Sequence, residues 1–115
     1  MSNRQTDRII RVRRVRTRQA MAALGRVQAR QLSEAGLLAR VRTLIASSGL
    51  QPGPVDAGTL KARLASDAML RRLAEDVSRR LGGTSEERAR LGEALARARA
   101  AVDAAVNARA EQEKS

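Results

Sequence analysis

The chain has no Cys, His, Phe, Tyr or Trp, and only two Pro among its 115 residues. Without cysteine there is neither a disulfide framework nor a thiolate metal site. Without His or Cys, and with Lys61 and Lys114 as the only lysines, the usual general bases and nucleophiles are missing. The hydroxyls, Ser33, Ser47 and Ser48 among them, have no recognisable activating partner. Asp and Glu are scattered without metal-ligand spacing. Gly58-Thr59-Leu60-Lys61 lacks the glycine spacing and the Lys-Ser/Thr order of a phosphate-binding loop. These absences predict a protein that is not an enzyme and carries no cofactor or metal. No apolar run approaches the length of a membrane span, and the N-terminus lacks the apolar block of a signal peptide. A cytoplasmic protein is the expectation. The Arg-rich start resembles an organelle transit peptide in composition alone.

A core without aromatic rings must be built from Leu, Val, Ile, Met and Ala. Each ring would bury a large area at little entropic cost. Its absence, with abundant Ala, Arg, Leu and Glu, favours helices packed through a narrow Ala/Leu seam. A GC-rich genome would enrich Ala and Arg in the same way.

Charge is present in quantity and unevenly placed. Residues 1–48 hold eleven Arg against Asp7 and Glu34, whereas residues 56–115 hold twelve basic and ten acidic side chains. Of the formal net charge of +11, most therefore lies in the first half. A basic half implies an acidic protein surface, a nucleic acid or a membrane face as partner.

The segment 47–58, SSGLQPGPVDAG, holds both prolines, and neither could sit inside a helix. Upstream, one long helix is allowed; downstream, Asp56 or Thr59 can cap a second, beginning near Leu60. Ala20, Leu24, Val27, Leu38, Val41 and Ile45 share one face at three- and four-residue spacing, interrupted by Gln31 and Glu34. Leu70, Val77, Leu81, Leu91, Leu95, Ala98, Val102 and Ala105 do the same, interrupted by Thr84 and Arg88. This seven-residue repeat is the signature of helices winding about each other. The expectation is an all-α, long antiparallel two-helix coiled-coil hairpin forming one domain over 1–115. Its helices span about 4–47 and about 59–113, with a turn at about 48–58.

Gly82-Gly83 disturbs the second helix, since two adjacent Gly cost roughly 2 kcal/mol of helix propensity relative to Ala. Thr84 and Glu87, directly after them, have capping-box spacing. A kink or break is expected here, with a hinge at 82–84 and a fresh helix from about Ser85. Folding the chain back at residue 53 sets Gly82-Gly83 opposite Leu24-Gly25, so that small residues meet. The same register sets Gln31 and Glu34 near Glu75 and Arg72 as a buried polar layer.

Residues 8–19 read RIIRVRRVRTRQ, six arginines and four β-branched apolar residues without an acid. On a helical wheel Ile9 falls with the later stripe, as do Arg13 and Arg16. Ile10, Val12 and Val15 spread over the rest of the circumference, so the seam is expected not to extend cleanly into this segment. A β-strand of period two finds no partner strand. Arginines here suit phosphates, with strongly salt-dependent binding, but the lack of aromatics removes base stacking. Val and Ile set between the arginines favour a protein contact, and a solvated charged face is the plainer alternative.

Residues 7–49, DRIIRVRRVRTRQAMAALGRVQARQLSEAGLLARVRTLIASSG, resemble the opening helix of the FliJ-type flagellar export proteins. The layout as a whole, a long Ala/Leu arm, a turn and a returning helix, is similar to that family over essentially the entire chain. The resemblance implies a non-enzymatic coiled-coil stalk of the flagellar, or type III, protein export apparatus, similar to a rotary-ATPase γ stalk. It would couple the hexameric export ATPase to the export gate, escort export chaperones, and sit in the cytoplasm at the flagellar base. It further implies that Arg8, Arg11, Arg13, Arg14, Arg16 and Arg18, with Arg97, Arg99 and Arg109, form the partner-binding end. Against the family's pattern the chain is short, lacks aromatics and carries Gly82-Gly83. The alternative is a basic helical protein that binds nucleic acid through the same arginine segment.

Overall fold

The computed structural model describes residues 3–48 and 55–114. The fold is all-α, with two long helices packed against each other as an antiparallel hairpin. Helix α1 spans Asn3–Ser48 and α2 spans Ala57–Lys114. Residues 8–19 are helical like the rest of α1, which disposes of the strand reading. Of the expected turn at 48–58, Ser48 and Ala57-Gly58 belong to the helices, and residues 49–54 lie outside the described residues.

Asp56 starts α2. Its Oδ1 accepts the Thr59 backbone N–H at 2.6 Å, while the Leu60 N–H reaches the Asp56 carbonyl at 2.9 Å. This is the N-cap arrangement, in which a short acceptor side chain satisfies an orphan donor of the first turn. The helix thus begins at Ala57 rather than near Leu60, and Thr59 donates to the cap instead of being one. The Thr59 backbone hydrogen bond, then its hydroxyl and the Gly58 N–H, hold the Asp56 carboxyl below the ordinary carboxylate range against a small opposing effect of burial. A depressed folded pKa gives a contribution that is complete above the unfolded carboxylate pKa and is lost as pH falls through the folded value. Acidification into that range should fray the first turn of α2, seen as faster amide exchange at Thr59 and Leu60. Asp56→Ala should show the same fraying at neutral pH, and Asp56→Asn should largely prevent it.

Backbone contacts group the chain into two units, Met1–Gln28 with Glu86–Ser115, and Ala29–Ser85. In the second, the seam buries Leu38 and Val41 of α1 and Val77 of α2, the last only 1% exposed. In the first it buries Ile10, Val27, Leu95 and Ala105. The other expected seam positions, Leu24, Ile45, Leu70, Leu81, Leu91 and Val102, are half-buried. A two-helix seam covers each side chain from one direction only, so full burial is confined to the central positions.

The register differs from the one expected. Gln31 Nε2 donates to Ser85 Oγ at 3.1 Å, and Thr84 Oγ1 lies 2.9 Å from Glu34 Oε2. The polar layer of α1 therefore exists, but its partners are Ser85 and Thr84 rather than Glu75 and Arg72. Thr84 is buried, and its single hydroxyl proton has a second acceptor in the Arg80 carbonyl, also at 2.9 Å. Mid-helix and committed to the seam, Thr84 caps nothing, so no fresh helix starts at Ser85. The pairing of small residues across the seam fails as well. A Cβ placed on Gly25, Gly82 or Gly83 would meet no atom within 4 Å, so no backbone approaches there. Nor is there a break at Gly82-Gly83, because α2 stays helical through both.

The seam also continues into the arginine segment, contrary to expectation. Ile10, not Ile9, takes the buried position at 5% exposed, and Thr6 is buried one turn earlier. Extending the spacing of Ala20 and Leu24 backward gives Thr17, Arg13, Ile10 and Thr6, and all four are buried or half-buried. Its three polar members, Thr6, Arg13 and Thr17, hide the row in the sequence. Thr6 Oγ1 donates to Gln112 Oε1 at 3.2 Å, and Arg13 Nη1 donates to the Ala101 carbonyl at 2.8 Å.

Candidate partner-binding site

All nine arginines singled out from the sequence fall in the unit formed by the start of α1 and the end of α2. Within that unit charge is lopsided. Residues 1–28 carry eight Arg against Asp7, whereas residues 86–115 carry six basic and six acidic side chains. The α1 side is therefore strongly positive and the α2 side close to balanced. In the other unit Arg71 pairs with Asp67 at 2.8 Å and Arg79 with Asp76 at 2.5 Å.

The nine divide by what they touch. Arg13 crosses the seam to the Ala101 carbonyl, which turns a charged side chain into a clasp between the helices. Arg109 sits 2.5 Å from Asp7 Oδ1 and 3.4 Å from Glu113 Oε1. Asp7 Oδ1 is shielded from solvent and accepts no well-angled hydrogen bond, so the guanidinium charge is what compensates its burial. Arg13 and Arg109 are thus occupied inside the fold.

Arg8, Arg11, Arg14, Arg16, Arg18, Arg97 and Arg99 are exposed. Arg14, Arg18 and Arg99 border an open groove of about 610 Å³, with Thr17, Val102 and Asp103. A second groove, about 320 Å³, shares Arg14 and Arg18 and adds Arg11, Ile10, Asp7 and Arg109. Helical spacing explains the grouping, because residues 7, 11, 14 and 18 run up one flank of α1 at three- and four-residue steps. A third, smaller groove of about 170 Å³ is lined by Ile9, Thr6, Arg13, Gln112 and three alanines of α2. Arg8, Arg16 and Arg97 border none of these three.

Sequence reasoning did not mark Thr17, Asp7 or Asp103. Asp7 carried a usable signal as the single acid among eight arginines. Asp103 could be placed only once the register was known. Among the described residues no group of three or more His, Cys, Asp or Glu could hold a metal ion, and no helix is long and apolar enough to cross a membrane. No family model, curated protein or solved structure matches the chain.

Proposed function

We propose that this protein is a non-enzymatic coiled-coil adaptor of a protein export machine of the flagellar, type III kind. In this reading the arginine-bearing unit engages an acidic surface of the export ATPase, and the rest of the hairpin reaches toward the export gate and its chaperone clients. The observation that carries the proposal is the concentration of charge on the α1 side of one unit of the antiparallel hairpin: eight Arg against the single acid Asp7 in residues 1–28, with Arg8, Arg11, Arg14, Arg16 and Arg18 exposed. The FliJ-like character of residues 7–49 adds the identity of the machine. Arginine suits such a contact because its planar fork binds carboxylates bidentately and is weakly hydrated.

The test is a pull-down of the tagged protein from its native extract, treated with nuclease and washed at moderate salt. Retention of the export ATPase or a gate component is the expected result. Replacing Arg8, Arg11, Arg14, Arg16 and Arg18 together by Glu should abolish that retention while leaving the helical circular-dichroism spectrum unchanged. Loss of every partner on nuclease treatment would overturn the proposal in favour of the nucleic-acid reading, which also predicts affinity falling about a thousandfold between low and physiological salt.

A further inference from the structure

We infer that the groove bordered by Arg14, Arg18 and Arg99 is the seat of an acidic helical segment of the partner protein, which places one apolar side chain against Val102. The inference deepens the adaptor reading and rests on it for the partner's being a protein.

Three properties of the groove point this way. Its shape is that of the concave flank between two packed helices, where a third helix lies naturally with its ridge in the groove. Its rim carries cations from both helices, Arg14 and Arg18 from α1 and Arg99 from α2, against the single acid Asp103. Carboxylates three or four residues apart on a docked helix would meet the two rims in turn. Its floor is Val102 and the aliphatic stems of the arginines, since a guanidinium reaches water while its methylenes cover apolar surface. An acidic, amphipathic helix is the ligand that matches charged rims and an apolar floor together.

The same features fit a nucleic acid poorly. Phosphates need cations and gain nothing from Val102. Asp103 also lines the groove; a helix can set an uncharged residue opposite it, whereas a nucleic-acid backbone carries a charge on every nucleotide. The two arginines already engaged inside the fold play no part in the contact. Arg13 clasps Ala101 and Arg109 compensates Asp7, and neither lines this groove. With Arg109 held by Asp7, Arg14, Arg18 and Arg99 are the cations that line this groove.

The experiment compares two triple variants of the full chain with equal changes in net charge. One is Arg14→Glu/Arg18→Glu/Arg99→Glu, at the groove. The other is Arg8→Glu/Arg16→Glu/Arg97→Glu, in the same unit but away from it. The probes are a synthetic helical peptide with glutamates at three- and four-residue spacing around one leucine, its Leu→Ala counterpart, and a short DNA duplex. The peptide should bind the wild type and the Arg8/Arg16/Arg97 variant, and should lose about tenfold or more on the groove variant. The Leu→Ala peptide should bind more weakly to the wild type. Equal loss in both triple variants would mean that net charge alone attracts the peptide, and would overturn the inference. So would duplex binding that is lost only in the groove variant while the peptide does not bind at all. Export-ATPase capture by the same variants separates this inference from the adaptor reading. Capture lost only with Arg8/Arg16/Arg97 replaced would keep the adaptor and discard the groove. No capture even by the wild type would discard the adaptor and leave the groove to the peptide result.

Discussion

Leu95→Ala and Leu38→Ala should each destabilise the protein by about 2–3 kcal/mol and lower the melting temperature by roughly 10 °C. Both leucines are among the few apolar side chains the seam covers, Leu38 at 6% exposed and Leu95 at 7%. Truncation removes the transfer free energy of the buried carbons and leaves a void that flanking side chains fill only in part. The figure sits toward the low end of the range for such changes because a two-helix seam can collapse more freely than a globular core. The two variants should also differ in where they act. Hydrogen exchange read by mass spectrometry should show protection falling first in residues 3–28 and 86–114 for Leu95→Ala. For Leu38→Ala the loss should centre on 29–48 and 57–85. The same stability loss with the two patterns exchanged would contradict the division of the seam.

Gly82→Ala with Gly83→Ala should stabilise the protein by about 2 kcal/mol, raising the melting temperature by roughly 7 °C. Both glycines are exposed within a continuous helix, and an added Cβ meets nothing within 4 Å at either. Alanine lowers the conformational entropy of the unfolded chain without a native-state clash. Thermal denaturation of the double variant decides the matter. A fall in stability would mean that the backbone at these positions departs from helical geometry in solution.

Much of the fold was legible because apolar spacing encodes it directly. The phases of Ala20 through Ile45 and of Leu70 through Ala105 lie on the buried faces, and both prolines fall in the sequence between the end of α1 at Ser48 and the start of α2 at Ala57. Register was not legible from apolar residues, because a seven-residue repeat can slide along itself and keep its pattern. The deciding signal was polar. Gln31 and Glu34 interrupt one seam and Thr84 interrupts the other, and aligning interruption with interruption gives the observed pairing. A fold-back at the middle of the Pro-Gly segment pairs these positions differently. Ile9 rather than Ile10 looks like the seam residue for a related reason: a row that runs through Arg13 and Thr17 does not look like one in sequence.

The candidate site was legible as a set of arginines but not as a surface. Which of them face outward depends on the register, since Arg13 finds its acceptor on α2 and Arg109 finds Asp7 on α1. No single-helix argument could have removed these two from the binding set. The grooves are likewise properties of the pair, made by α1 residues such as Arg14 and Thr17 with α2 residues such as Arg99 and Val102.

The narrowness of the seam has a thermal consequence. The heat capacity of unfolding rises with the apolar surface newly exposed to water, at about 12–15 cal/mol/K per residue for compact globular proteins. Here leucines such as Leu32, Leu44, Leu60 and Leu64 are already at least half exposed in the folded chain. Unfolding uncovers little more, so calorimetry should return a value below that range. With a small heat capacity change, the enthalpy and entropy of unfolding hardly vary with temperature. The stability curve then has little curvature, and stability falls almost linearly with temperature up to the melting point.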